Sequence, residues 1–217
     1  MRFWERWKKA CTRASQKEEK SYTVRLKDTV QGELSLFALR DLESGGRTLC
    51  QWQCRVDIPG FAEGRTSEVS LILDLETRSW QELKKVKSVQ AKSGYLNVYD
   101  DGREEYEVES ATVALSFKKG TRFVAEITLE FPEGVPLDRD YRRQFLTLKF
   151  SAGLSFEGIQ TSEGVLAVLP SEFRQAPWLY ERVSRLVDLA EFEGPFYPYP
   201  WPEPYERGVS AWFKLRE

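Results

Sequence analysis

With 217 residues, of which 41% are hydrophobic and 13% aromatic, the chain can bury a full core and is neither disordered nor fibrous in composition. A formal net charge of -2 argues against nucleic-acid binding, which relies on clustered positive charge, and the absence of histidine removes triads and histidine metal sites. No apolar run approaches the roughly 20 residues of a membrane-spanning helix, and the first residues lack the stretch of a secretion signal, so a soluble, cytoplasmic protein is expected.

Residues 1–20 read as an amphipathic helix, with Phe3, Trp7, Ala10, Cys11 and Ala14 on one stripe among basic side chains. Packing of that stripe on the protein's own sheet is preferred to a membrane anchor through Trp4 and Trp7. The remainder, 21–217, reads as a single β-rich domain. Strands are predicted over 22–27, 33–42, 48–58 and 67–75, the second and third joined as a hairpin through Glu43-Ser44-Gly45-Gly46-Arg47. Cys50 and Cys54 share one face of the third strand. Four strand steps set them about 13 Å apart, too far for a disulfide, so both are expected to be small buried hydrophobes. Ser79 and Glu82 have the spacing of a capping box, which predicts a short helix over 80–87 with Trp80, Leu83 and Val86 inward.

Three glycine-ended bends follow, at Asp100-Asp101-Gly102, Lys118-Lys119-Gly120 and Ser151-Ala152-Gly153. A three-residue hairpin loop places its last residue in the left-handed region, which glycine enters without strain. The first bend then sets Leu96 opposite Tyr106 and Val98 opposite Glu104. The second sets Leu115 opposite Phe123 and Val113 opposite Ala125. At the third, Phe150 meets Leu154 and Leu148 meets Phe156, unless the strand runs on through a bulge at Gly153.

Residues 132–143 read as a surface loop, its Arg139, Arg142 and Arg143 neutralised by neighbouring aspartates rather than forming an anion site. A buried strand is expected over 165–169. A helix over 177–192, with Leu179, Val183, Leu186, Val187 and Ala190 on one face, is expected to lie on the sheet. The arm 194–205 carries five prolines among aromatics and is extended, either strapped across the core or seated in a partner's groove. Val209, Ala211, Phe213 and Leu215 alternate as a final strand.

The expected fold is therefore α+β: a curved antiparallel sheet or two-sheet sandwich of about ten strands, a short N-terminal helix and a C-terminal helix packed on the sheet. No phosphate loop, dinucleotide fingerprint, cysteine zinc spacing or nucleophile elbow occurs, so no catalytic residue, cofactor or metal is assigned and the reading leans away from an enzyme. Six carboxylates gather between Asp100 and Glu109 in an order unlike a calcium loop. They make a docking surface for another protein with a basic surface, with Asp100, Asp101, Glu104, Glu105, Glu107, Tyr199 and Trp201 as the contact residues. The leading expectation is a protein-binding module, for instance a toxin-neutralising immunity protein. The alternatives are an enzyme or small-ligand carrier with a cleft between sheet and C-terminal helix, and a peripheral membrane protein held by the N-terminal helix.

Overall fold

A computed structural model describes residues 23–41, 47–59, 66–99, 102–137, 144–163, 183–196 and 209–216. The N-terminal segment 1–20, the strand expected over 165–169, the three loop arginines and most of the proline-aromatic arm lie outside the described residues. So do Asp100, Asp101, Tyr199 and Trp201.

The elements run β1 (Thr23–Arg25), β2 (Val30–Asp41), β3 (Arg47–Pro59), β4 (Thr66–Leu73), α1 (Trp80–Leu83), β5 (Ser88–Tyr99), β6 (Arg103–Glu107), β7 (Ser110–Lys119), β8 (Arg122–Pro136), β9 (Gln144–Glu163), β10 (Phe192–Phe196) and β11 (Val209–Leu215). Seven of them, β2-β3-β4-β5-β7-β8-β9, close into a barrel, because β9 pairs with β8 on one edge and with β2 on the other. The β2–β9 pairing is parallel and every other barrel pairing is antiparallel. Four extra strands attach outside it: β1 and β11 on β9, β6 on β5, and β10 on β11.

The architecture is thus all-β, which corrects the α+β expectation. α1 is a single turn, and of the C-terminal helix expected over 177–192 the residues 177–182 lie outside the described ones, while only Val183 and Ser184 are helical before the chain turns through 185–191. Val183 and Val187 are buried as the helical pattern requires, but Leu189 replaces Ala190 on the buried side. There Asp188 accepts a hydrogen bond from the Ala190 backbone N–H at 3.0 Å, a local alternative to a helical bond. The chain then enters β10 instead of continuing as a helix.

Alternation along the strands fills the barrel. Leu34, Cys54, Val56, Val69, Leu71, Leu96, Val113, Ala125, Ile127, Leu148 and Ala152 are all buried from different staves, and a barrel this narrow has room only for such side chains. Apolar groups line the inside and charged groups the outside, the reverse of a lipid-facing barrel. Trp80 covers one end. It stacks on Phe156 at 4.4 Å between ring centroids and meets Phe123 edge-on at 5.7 Å, while the Trp52 indole donates to the Thr77 carbonyl at 2.7 Å. Trp80 and Leu83 face inward as expected, but the capping box does not form. Ser79 makes no side-chain cap; its N–H donates to the Thr77 hydroxyl, which in turn donates to Glu82.

The three bends fare differently. Across the acidic bend the expected register holds, with Leu96 opposite Tyr106 and Val98 opposite Glu104. At the lysine bend the faces are as expected, but the register is displaced by two: Phe117 opposes Phe123, and Leu115 opposes Ala125. The Thr121 carbonyl accepts the Phe156 N–H of β9 at 2.8 Å, which draws Thr121 out of the β7–β8 ladder and into the turn. Gly120 is left-handed there, with φ +57, whereas Gly102 is not. The third bend does not exist. Ser151, Ala152 and Gly153 lie inside β9, where Ala152 opposes Ala125 of β8 on one side and Val30 of β2 on the other. Ladder bonds on both edges outweigh the local turn preference of a Ser-Ala-Gly run.

Candidate functional site

β6 and β7 continue one another along β5. Tyr95 opposes Glu107 and Ser88 opposes Ala114, and between these stretches the Val108 N–H donates to the Gly94 carbonyl at 2.9 Å. β8 covers the outer edge of this long strand only as far as Ser110, opposite Glu130, with a last bond from the Glu109 N–H to the Glu130 carbonyl at 2.8 Å. Beyond that point β6 lines this side of β5, whose other side stays paired to β4 from Val69 opposite Leu96 to Thr66 opposite Tyr99, so β6 is an edge strand of the wall. Among the described residues β6 pairs with β5 alone.

Backbone groups alternate in direction along an antiparallel strand. Val108 faces β5 and Glu109 faces β8, so Glu104 and Tyr106 bond inward to β5. The N–H and C=O groups of Arg103, Glu105 and Glu107 point along the open edge. Side chains alternate independently, between the two faces. Glu105 and Glu107 are exposed on the outer face, with Arg103 paired to Glu105 at 2.7 Å. Glu104 is half-buried on the inner face, where the Tyr106 hydroxyl donates to it at 2.6 Å. The structure therefore splits the predicted carboxylate set: Glu105 and Glu107 share the exposed face, and Glu104 belongs to the packing on the inner face of β6.

Sequence reasoning missed the aromatic member of this face. Tyr95 is 40% exposed and stands directly opposite Glu107; the alternation that buries Leu96 was enough to place it outward. Asn97, beside it, is covered by Arg103, whose Nε donates to Asn97 Oδ1 at 3.0 Å. The acidic character extends across the barrel wall in register, from Asp57 on β3 to Glu68 on β4, Asn97 on β5 and Glu105 on β6. Arg55 is bound to Glu68 through Nε at 2.8 Å, and Glu33 lies alongside on β2. Burial raises the pKa of Glu33 above the ordinary carboxylate value; Arg55 opposes the rise, and the neighbouring Glu157, Asp57 and Glu68 add to it.

Among the described residues no three His, Cys, Asp or Glu side chains are placed to hold a metal ion. Cys54 is fully buried and its pKa is pushed up to about 12, chiefly by that burial, so the thiolate needed for nucleophilic chemistry is not formed. Past Val183 and Ser184 no described residue of 185–191 is helical, so no C-terminal helix bounds a cleft with the sheet there. No described helix is long and apolar enough to cross a membrane. Compared with protein-family models, curated proteins and solved structures, the chain matches none of them.

Proposed function

We propose that this protein is a protein-binding module that takes up an extended, basic segment of a partner as an added strand along β6. The observation that carries the reading is the edge itself: among the described residues β6 pairs with β5 alone, which leaves the backbone groups of Arg103, Glu105 and Glu107 outward beside exposed carboxylates. Strand addition draws affinity from main-chain hydrogen bonds and specificity from alternate side chains. A lysine or arginine at every second partner position meets Glu105 and Glu107, and the face of Tyr95 offers a cation–π contact. The acidic wall continuous with β6 speeds encounter with a positive surface and makes binding salt-sensitive. A toxin-neutralising immunity protein, working in the cytoplasm by covering a basic toxin surface, is the concrete form of this role.

The test uses a short peptide of alternating lysine and valine as probe, with a glutamate-valine peptide as control. Reversal to Glu105→Lys with Glu107→Lys is expected to weaken lysine-peptide binding at least roughly tenfold. Glu105→Pro removes an outward N–H without touching the β5–β6 ladder, a position where an edge strand tolerates proline, and is expected to abolish binding while the fold persists. Equal binding of both peptides, or undiminished binding by the proline variant, overturns the proposal.

A further inference from the structure

At the far end of the barrel from the β5–β6 bend, β9 changes partners. β8 accompanies it to Ser155, opposite Arg122, and β11 takes over at Ile159, opposite Phe213. Between these points Glu157 is the extra residue of a bulge, since Leu34 opposes Phe156 and Ser35 opposes Gly158. The two neighbouring strands part there, and the gap is a cleft of about 710 Å³ with Trp80, Phe156 and Leu215 as its apolar lining. That volume falls within the usual range for small-molecule sites.

The polar groups are arranged by charge. Lys214 and Arg216 line the β11 side, while Glu157 of β9 and Glu191 supply carboxylates. Arg216 is pinned twice: its backbone N–H donates to the Glu191 carbonyl at 2.9 Å, and its Nε donates to the Phe192 carbonyl at 3.0 Å. Gln81 holds the Glu191 carboxylate. Trp80 is only 6% exposed and is fixed by its ring contacts. The Trp52 indole N–H is taken up by Thr77, whereas that of Trp80 makes no bond among the described residues and, since only Ser67 Oγ there is a buried atom without a partner, it keeps contact with solvent. A solvent-accessible indole donor, a pinned guanidinium and two carboxylates lining one cleft fit a ligand with a negative and a positive end.

We propose that this notch binds a small zwitterion of the short-peptide class: its carboxylate on Arg216 and the Trp80 indole N–H, its ammonium on Glu157 and Glu191, its apolar body over Phe156 and Leu215. Glycylphenylalanine is the probe, followed through the Trp80 indole proton by NMR, with the N-acetylated and C-amidated dipeptides each lacking one charge. Glycylphenylalanine is expected to give a saturable shift in the millimolar range. Both blocked forms bind at least about tenfold more weakly, as does the unblocked dipeptide to Arg216→Gln or Glu157→Gln, exposed positions whose substitution leaves the core intact. Absence of a saturable shift at roughly 10 mM, or equal binding of either blocked form, overturns the proposal. Glu105→Pro is expected to leave this binding unchanged, so failure here and failure at β6 are separate results.

Discussion

Glu33 shows how one side chain records the packing of the outer wall. Its raised pKa means that burial, more than the repulsion of nearby carboxylates, disfavours the charged form, and that Arg55 does not fully compensate. As pH rises from the ordinary carboxylate value to the raised one, the unfolded chain has already released its proton and the folded chain has not. The folded state binds more protons across that window, so stability falls with rising pH and stays reduced above it. Glu33→Gln is therefore expected to raise the melting temperature at pH 7 and to have little effect near pH 4, as thermal unfolding at the two pH values will show. No increase at pH 7 would place the charged form of Glu33 in a favourable environment instead.

Among the elements, β9 carries the most constraint and was the least legible. Gly158 has φ +103, and a Cβ there would lie 2.2 Å from the Phe213 carbonyl oxygen, so both backbone and space demand glycine. Gly158→Ala is expected to cost more than about 1–3 kcal/mol and to loosen β11, whereas Gly102→Ala, with nothing within 4 Å, stays within roughly 0.5 kcal/mol of the parent. Denaturant unfolding of the two variants checks the contrast, and similar costs would contradict it. Local alternation was enough to read the β2–β3 hairpin, the acidic bend and the inward faces of β7 and β8, because those pairings join neighbours in the chain. The lysine bend kept its faces and lost its register, since the deciding contact, Thr121 with Phe156, comes from a strand beyond the hairpin. The 151–153 bend vanished for the same reason.

For the whole molecule, closure rests on the parallel pairing of β2 with β9, Gln31 opposite Gly153, which no local pattern announces. A parallel partner so remote in the chain leaves only buried character behind it, and β9 has that character on either reading. The candidate surface was legible in part. Glu105 and Glu107 could be read from composition, but the edge beside them, without a second partner strand among the described residues, follows from where the β7–β8 ladder ends at Ser110 and Glu130, a fact of topology. Closure also explains why this edge matters: the barrel pairs seven strands on both sides, whereas among the described residues β6 pairs on one side only, with β5.

Hydrogen exchange along β6, without and with the lysine-valine peptide, tests the central claim most directly. The free protein is expected to exchange the Arg103, Glu105 and Glu107 amides fast and the Glu104, Tyr106 and Val108 amides slowly, and the peptide to slow the first set alone. Equal protection of both sets in the free protein, or no change on adding the peptide, would contradict strand addition at this edge.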